Sequence, residues 1–245
     1  MGTRSPASPV SRHHRLGLAL EAGGTYVVPG AAAHHLGRVL RARVGERFVA
    51  VAQDGSRWEA RVTGLAPLTV KIVAPAPELA ADPAVRLEVW LPLLKGGRTD
   101  DLVRQLTELG AARVVPWAAE RSVVRLKGDK ADRRVRRWRT IAAEATEQCG
   151  RATPPEVAQV SGLPASGPGV FLWEERGTAL RDVLAAAPPE RILVGPEGGL
   201  SPGEVEALVA VGWRGAWLGA RILRAETAVV AAATLALHAL GEAGY

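Results

Sequence analysis

The fold is decided by Ile192-Leu193-Val194-Gly195-Pro196-Glu197-Gly198-Gly199, in which an apolar run passes directly into a glycine-rich loop. A comparable passage follows at Leu218-Gly219-Ala220-Arg221-Ile222-Leu223-Arg224-Ala225-Glu226. Each passage is typical of a buried strand, a loop and then a helix. Between the two, Ser201 and Glu204 have capping-box spacing with Pro202 at the first helical position, so they predict the start of a helix. Gly212 predicts its end.

These two loops predict a small-molecule site. Strand-to-helix loops from consecutive units are expected side by side at the carboxyl edge of a parallel sheet, where open α/β sheets bind their ligands. Glycine lets backbone amides approach a ligand closely, and Glu197, Arg221, Arg224 and Glu226 place both charge signs around it. The chain has neither the spaced-glycine dinucleotide fingerprint nor the phosphate loop ending in Gly-Lys-Ser/Thr, which disfavours a standard NAD or ATP site.

The N-terminal third of the chain predicts a small β-barrel. Short apolar runs alternate with turn residues, and one helix is predicted at Ala31–Arg43. The predicted strands are Leu18–Leu20, Tyr26–Val28, Arg47–Val51, Trp58–Val62 and Val70–Val73. A proline-rich segment near residues 75–84 is typical of a linker. We therefore predict two domains, residues 1–80 and 81–245.

The second domain predicts an α/β fold with a mostly parallel sheet, because strands and helices alternate along it. The predicted strands are Leu87–Leu93, Arg113–Trp117, Val170–Trp173 and Ile192–Val194, and the predicted helices are Thr99–Gly110 and Asp132–Gln148. The late run Thr227–Leu237 is apolar on all faces but too short to span a bilayer. It therefore predicts a helix buried in the core or at a subunit contact.

Composition favours a globular protein with an anionic partner. The formal net charge is +6 and the sequence pI is about 10.2, although genomic base composition explains abundant arginine equally well. The single Cys149 cannot form an internal disulfide, and no Cys/His cluster has zinc spacing, so we predict no metal. The apolar stretch Leu16–Leu20 is too short for a secretory signal. We predict a cytoplasmic protein that does not enter a membrane.

Further blocks complete a pattern that covers nearly the whole chain. They are Leu94-Lys95-Gly96-Gly97-Arg98 with Thr107-Glu108-Leu109-Gly110, Glu120-Arg121-Ser122-Val123-Val124, Arg137-Trp138 through Glu144-Ala145, Glu147-Gln148 and Gly150-Arg151, and His35-Leu36 with Val39-Leu40-Arg41. With the two loops, these blocks resemble the 16S ribosomal RNA uridine-N3 methyltransferases of the SPOUT superfamily. The chain departs from the family at Gln105, where a family lysine has no equivalent, and at Cys149, which replaces the usual serine.

The resemblance implies a PUA-like β-barrel followed by a SPOUT α/β domain with a C-terminal trefoil knot. It implies a homodimer that uses S-adenosyl-L-methionine to methylate N3 of a uridine in 16S ribosomal RNA, free or in the 30S particle, during ribosome biogenesis. A competing hypothesis is a non-catalytic RNA-binding factor in ribosome assembly with the same fold. A methyltransferase for a ribose hydroxyl or another ring nitrogen is a further alternative.

Methyl transfer to uridine N3 requires removal of a ring proton or stabilisation of the charge that spreads to O2 and O4. Arg221 or Arg224 is a candidate for stabilising that anion, and Glu197 or Glu226 for accepting the proton or orienting an arginine. Structural hydrogen bonds are an equally good explanation of the glutamates. The predicted cofactor-binding residues are Val194, Gly195, Pro196, Gly198, Gly199, Leu218, Gly219, Ile222 and Leu223.

Basic residues cluster between Arg121 and Arg151 on several faces of a predicted helix, so local pairing cannot absorb them all. Phosphate contact is the natural use of such charges, and a solvated face is the alternative. The predicted RNA-binding residues are Arg38, Arg41, Lys95, Arg98, Arg121, Arg133, Arg136, Arg137 and Arg151. Because N3 lies on the Watson–Crick edge, the target base must be unpaired or rotated out of its stack.

Overall fold

The computed structural model describes residues 13–39, 41–76, 85–174 and 177–242. The chain divides into two compact units: Met1–Ala81 with Glu147–Ala152, and Asp82–Thr146 with Thr153–Tyr245. The predicted boundary between residues 80 and 81 and most of the predicted linker lie outside the described residues.

The N-terminal unit contains one five-stranded sheet. Its strands are β1 (His13–Arg15), β2 (Thr25–Val27), β3 (Arg47–Val51), β4 (Arg57–Leu65) and β5 (Leu68–Pro75), in the order β1-β3-β4-β5-β2. All its strand pairs are antiparallel except β1 with β3. Alternate residues point into one core, among them Phe48, Ala50, Val62, Val70 and Ile72. This sheet supplies the predicted β-rich N-terminal domain.

Two details of that prediction are wrong. Residues 18–20 are not a strand, and the predicted helix over residues 31–43 is much shorter. Helix α1 (Gly30–His34) continues only as a π-helical turn over His35–Val39. Arg41 then has φ of 52°, a left-handed backbone conformation that a right-handed helix cannot contain.

The C-terminal unit alternates strands and helices as predicted. Its elements are β6 (Glu88–Pro92), α2 (Arg98–Leu109), β7 (Arg113–Trp117), α3 (Asp129–Cys149), β8 (Glu156–Val157), β9 (Gly169–Leu172), β10 (Thr178–Ala179), α4 (Leu180–Ala186), β11 (Arg191–Val194), α5 (Pro202–Ala210), β12 (Trp213–Trp217) and α6 (Ala225–Ala239). The seven strands have the order β10-β12-β9-β11-β6-β7-β8, and every pair is parallel. The predicted α/β class with a parallel sheet is confirmed.

Both faces of this sheet are covered, which explains why its strands are apolar at nearly every position. Val89 and Leu91 of β6 belong to the core that also contains residues of α2, α3, α4 and α6. Trp90, on the opposite face, packs in a second core with Phe171 and Trp213. Strand alternation thus distributes successive residues of β6 between two cores.

Helix α5 begins with the predicted capping box. The Ser201 hydroxyl accepts a hydrogen bond from the Glu204 backbone N–H at 3.2 Å, and the Glu204 carboxylate accepts one from the Ser201 N–H at 2.8 Å. Pro202 occupies the first turn. Gly212 has φ of 86° just beyond the end of the helix, as predicted from the glycine.

The strand order corrects one expectation about the two loops. Strands β11 and β12 follow each other in the chain, but each pairs with β9 and not with the other. The loops therefore leave the same edge of the sheet with the end of β9 between them. Consecutive strands need not be neighbours in a parallel sheet, because a crossover helix such as α5 spans more than one strand position.

Helix α6 buries one face in the core. Val229, Ala232, Ala233 and Ala236 are fully buried, whereas Leu235 is 43% exposed. Within the described residues, no helix is both long and apolar enough to cross a membrane.

Candidate active site

The first glycine loop is tightly packed against its neighbours. The indole N–H of Trp117 donates to the Val194 carbonyl at 3.0 Å and so holds the end of β11. Gly199 has φ of 69°, and a Cβ at this position would lie 2.5 Å from the Glu174 carboxylate. A Cβ at Gly198 would lie 3.1 Å from the Cβ of Arg121. The predicted cofactor loop therefore has a backbone that larger residues would disturb.

Two more predicted cofactor-binding positions, Gly195 and Pro196, follow β11. Gly195 is partly exposed and Pro196 is buried, and the Pro196 carbonyl accepts a hydrogen bond from Gly199 N–H at 2.9 Å. A Cβ at Gly195 would lie 3.2 Å from Leu200. The loop is thus a compact turn that leads into the capped N-terminus of α5.

The second loop is open. Gly219 has φ of 126°, with nothing within 4 Å of the position of a Cβ. Leu218 and Leu223 are partly buried, but Ile222 is 94% exposed, which is unusual for so large an apolar side chain. This surface offers an apolar contact to a ligand or a second protein chain.

Two arginines of the second loop are available for a ligand. Arg221 and Arg224 are exposed, and neither makes a hydrogen bond or ion pair through its side chain with any residue that the structure describes. The backbone carbonyl of Arg224 accepts from the Ala228 N–H, so this residue caps α6. Its backbone is therefore fixed at the start of a helix, while its guanidinium has no carboxylate partner among the described residues.

The two predicted acidic residues meet at a third residue, Arg98. Its Nη2 atom lies 2.6 Å from Oε1 of Glu197, and its Nη1 atom lies 3.4 Å from Oε1 of Glu226. Its Nε atom donates to the Lys95 carbonyl at 3.0 Å. Desolvation lowers the pKa of Arg98, but the two carboxylates outweigh it and raise that pKa above its usual value. We call Arg98, Glu197 and Glu226 the carboxyl-edge cluster.

The structure also brings in residues that sequence reasoning left out. Glu174 follows β9 and lies against Gly199, between the two loops. Glu204 accepts from the Glu120 N–H at 2.7 Å and so ties α5 to the segment that contains Arg121. The position of Glu174 directly after an apolar strand could have indicated a site residue from the sequence. The contact of Glu204 with Glu120 could not be predicted from the sequence, because it joins distant segments.

The predicted RNA-binding residues fall into three groups. Lys95, Arg133 and Arg136 of the C-terminal unit and Arg38 and Arg41 of the N-terminal unit are exposed. Two others contact the site, since Arg98 pairs with the glutamates and Arg121 donates to the Gly198 carbonyl at 3.1 Å.

The third group comprises the two remaining residues. Arg137 donates to the buried Asp100 at 2.8 Å, and the Trp138 indole donates to the same carboxylate at 2.8 Å. The Arg137 side chain is nevertheless 62% exposed. Arg151 is partly buried. RNA contact by any of these residues stays a prediction. Among the described residues, no group of three or more His, Cys, Asp or Glu side chains is placed to hold a metal ion.

Family models match both parts of the chain. One, described as an RNA methyltransferase domain, matches residues 81–237, and another, described as an RNA methyltransferase PUA domain, matches residues 28–74. The chain is 32% identical over 235 residues to ribosomal RNA small subunit methyltransferase E of Mycobacterium tuberculosis, covering 90% of this chain and 87% of that protein. It is 30% identical over 225 residues to the Bacillus subtilis protein of the same name, with coverages of 85% and 88%.

Solved structures agree with this likeness. The ribosomal RNA small subunit methyltransferase E of Neisseria gonorrhoeae, bound to S-adenosyl methionine, has a TM-score of 0.78 and 29% identity, covering 94% of this chain and 97% of that one. A Legionella pneumophila methyltransferase with bound cofactor has a TM-score of 0.79 and 26% identity, with coverages of 95% and 98%. The predicted combination of a PUA-like domain and a SPOUT α/β domain is confirmed. The chain therefore belongs to the RNA methyltransferase family that includes the bacterial ribosomal RNA small subunit methyltransferases E.

Proposed function

We propose that this protein transfers a methyl group from S-adenosyl-L-methionine to N3 of a uridine in 16S ribosomal RNA. The observation that carries the proposal is the convergence of the two loops, Arg98 and both glutamates at one edge of the sheet. Relatives that match this chain over 87–88% of their own length are ribosomal RNA methyltransferases by name. The substrate position goes beyond those names and rests on the chemistry of the site.

The residues of the two loops fit the proposed cofactor. In the turn from Gly195 to Gly199, Glu197 and Gly198 are exposed, and their backbone N–H groups have no partner among the described residues. The exposed Ile222 supplies apolar surface for an adenine ring. The Glu174 carboxylate at the end of β9 is suited to ribose hydroxyls, since acidic residues at strand ends serve that purpose in other parallel sheets. When bound, S-adenosyl-L-methionine supplies an electrophilic methyl group on a sulfonium.

The protein's own contribution is to make uridine N3 nucleophilic. Arg221 and Arg224 are unneutralised and stand at the second loop, where they can stabilise negative charge on O2 or O4 as the proton leaves N3. A carboxylate of the carboxyl-edge cluster is the available proton acceptor. A ribose hydroxyl also loses a proton when it is methylated, but its charge does not spread onto carbonyl oxygens, so the two unneutralised arginines favour a uracil substrate.

RNA binding is assigned to both units. The exposed Arg133 and Arg136 lie on one side of α3, where they can contact phosphates without first breaking an ion pair. Arg38 and Arg41 give the N-terminal unit its own exposed charges. We propose small-subunit ribosomal RNA, free or in the 30S particle, as the partner, and the cytoplasm as the site of action.

We further propose a homodimer and a knotted C-terminal path, both implied by the family resemblance. The half-exposed face of α6, which includes Leu235, supports a subunit contact. Light scattering at micromolar concentration should give twice the chain mass of 25.8 kDa, and a mass near 25.8 kDa would remove the dimer from the account.

The function is tested by nucleoside mass spectrometry. Small-subunit ribosomal RNA from cells lacking the protein should gain 3-methyluridine at one position when it is incubated with the purified protein and S-adenosyl-L-methionine. Methylation of a ribose hydroxyl would contradict the proposed position. RNA binding without methyl transfer, together with no saturable cofactor binding in calorimetry, would favour a non-catalytic assembly factor.

A further inference from the structure

A cavity of about 520 Å³ lies beside the carboxyl-edge cluster, between α2 and α6. Its walls include Arg98 and Gln105 from α2 and Glu226, Val230 and Ala231 from α6. Its volume falls within the range of about 300–1,000 Å³ that is usual for small-ligand sites. Polar groups on one side and small apolar groups on the other suit a planar heterocyclic base.

The two glutamates of the cluster differ in how far their oxygens are satisfied. Glu197 is 38% exposed and receives a short hydrogen bond of 2.6 Å from Arg98. Glu226 is 26% exposed and receives only a long contact of 3.4 Å, on Oε1. Its Oε2 atom is enclosed and has no hydrogen-bond donor among the described residues. An enclosed acceptor without a donor is unfavourable, so Glu226 is the carboxylate of the cluster with unused hydrogen-bonding capacity.

Rotation about the terminal torsion of Glu226 exchanges its two oxygens. This torsion is broad and roughly twofold, so the exchange has little intrinsic cost. A carboxylate has about four acceptor positions, of which Arg98 uses one. Glu226 can therefore keep its contact with Arg98 and still accept a hydrogen bond from a ligand in the cavity.

We propose that this cavity binds the target uracil and that Glu226, rather than Glu197, accepts the N3 proton. The inference rests on the proposed function. The Watson–Crick edge of uracil presents an acceptor, a donor and an acceptor at O2, N3–H and O4. The cavity offers the Glu226 carboxylate as an acceptor and the Gln105 amide as a donor. The Asp101 carboxylate in the same wall is paired with Arg104 at 2.8 Å. Cytosine has an unprotonated N3 and an amino group at position 4, so it does not match this set.

The proposed step transfers one methyl group and one proton. N3 forms a bond to the methyl carbon while the bond between that carbon and the sulfonium sulfur breaks, and the sulfur keeps the electron pair. The N3 proton passes to a carboxylate oxygen of Glu226, which becomes a neutral acid and releases the proton to water after the product leaves. The products are 3-methyluridine and the thioether form of the cofactor.

Arg98 acts in this step as a positioning residue. The Nη2 group of Arg98 donates to Glu197 and its Nε group donates to the Lys95 carbonyl, so its side chain is fixed. Its Nη1 group then directs Glu226 toward the cavity. The role of Glu197 is therefore to hold the Arg98 side chain in place. It also explains why a predicted RNA-binding arginine is found among carboxylates.

The test compares three isosteric variants at saturating RNA and cofactor. Glu226→Gln should lower the single-turnover methylation rate about 100-fold or more, the usual range for loss of a general base. Glu197→Gln should lower it by less than about tenfold, because it removes an anchor and not the acceptor. Glu206→Gln, exposed on α5, is the matched control and should be unchanged. Thermal unfolding confirms that each variant is folded, and affinity for S-adenosylhomocysteine should change less than threefold in all of them.

A second measurement separates proton removal from binding. RNA with 5-fluorouridine at the target has a more acidic N3–H, so it should restore much of the rate of Glu226→Gln, and a rate that stays equally low with this RNA would contradict the assignment. For the positioning residue, Arg98→Ala should shift the pH at which the methylation rate is half-maximal, and Arg98→Lys should partly restore it.

Each outcome decides between alternatives. A Glu226→Gln rate within threefold of the unaltered protein, or a larger loss in Glu197→Gln, would overturn the assignment. Loss of S-adenosylhomocysteine affinity in Glu226→Gln would mean that the cavity holds the cofactor and not the base. If the unaltered protein forms no 3-methyluridine, the proposed function itself fails, which is a separate result.

Discussion

Two charged clusters occupy opposite edges of the same parallel sheet. The carboxyl-edge cluster of Arg98, Glu197 and Glu226 follows the ends of β6, β11 and β12. The amino-edge cluster consists of Glu88, Arg113 and Arg191, which begin β6, β7 and β11. In the first, one arginine pairs with two carboxylates. In the second, two arginines share Glu88, and Arg113 also pairs with Glu156 at 3.1 Å.

In the amino-edge cluster, both carboxylate oxygens of Glu88 have partners. One oxygen of Glu88 lies 2.5 Å from Arg113, and the other accepts from Arg191 at 2.9 Å and from the Trp90 indole. The Arg191 guanidinium also lies 5.0 Å from the centre of the Trp213 ring. In the carboxyl-edge cluster, by contrast, one oxygen has no donor among the described residues and a cavity adjoins it. A closed set of partners stabilises a fold, and an incomplete set beside a cavity is available for a ligand.

The largest expected effect comes from the carboxyl edge. Arg224→Ala should lower the single-turnover methylation rate about 100- to 1,000-fold, because it removes a donor for the charge that develops on the uracil oxygens. Affinity for S-adenosyl-L-methionine should change little. Arg181→Ala, an exposed arginine on α4, is the matched control. Rescue of Arg224→Ala by excess RNA or cofactor would show a role in binding, and the stabilising role would then move to Arg221.

The next effect belongs to the amino edge and concerns stability. Glu88→Gln leaves Arg191 without its carboxylate and Arg113 with Glu156 alone, so it should lower the free energy of unfolding by about 1.5–3 kcal/mol in urea titrations. The methylation rate per folded molecule should be unchanged. A loss of rate as large as that in Arg224→Ala would mean that the two edges are not functionally distinct.

The same residue predicts a pH dependence of stability. Burial raises the pKa of Glu88, but hydrogen bonds from Trp90, Arg113 and Arg191 together hold it below its usual value. The stabilisation is therefore complete above the pKa of the unfolded chain and is lost as pH falls through the folded pKa. The difference in thermal midpoint between the unaltered protein and Glu88→Gln should thus shrink as pH falls from about 7 to about 3. A constant difference would contradict this account.

The smallest effects separate two neighbouring arginines of α3. Arg136→Ala should weaken RNA binding and reduce the slope of log affinity against log salt by about 0.9, the loss of one phosphate contact. Arg137→Ala should also lower stability by about 1 kcal/mol, because its exposed guanidinium pairs with the buried Asp100. Filter binding across salt concentrations and urea unfolding measure the two quantities. Equal stability of both variants would remove the role given to Asp100.

Much of the fold could be predicted because its signals are local. Apolar runs such as Ile192–Val194 predict strands that are buried on both faces, and Ser201 with Glu204 predicts the start of α5. The neighbours of β11 could not be predicted in this way, since strand order depends on pairing between distant segments. The prediction of a helix over residues 31–43 was wrong because helical periodicity does not reveal the left-handed backbone conformation of Arg41.

The candidate site also combines features that are local in the sequence with contacts between distant segments. The two loops could be located from their glycines and charges, because these residues are close in sequence to the strands they follow. The pairing of Arg98 with Glu226 could not, since 128 positions separate the two residues. The interpretation of Arg98 as an RNA contact followed from its charge alone. Geometry instead places it between two carboxylates.

The central claim is that the carboxyl edge holds the cofactor and the amino edge does not. Calorimetric titration of S-adenosylhomocysteine into the unaltered protein, Gly198→Val and Glu88→Gln tests it most directly. We predict saturable binding to the unaltered protein and Glu88→Gln with equal affinity. Gly198→Val should bind S-adenosylhomocysteine at least about tenfold more weakly, because its side chain displaces Arg121 and distorts the loop. Equal affinity of Gly198→Val and the unaltered protein, or no saturable binding to either, would contradict the account.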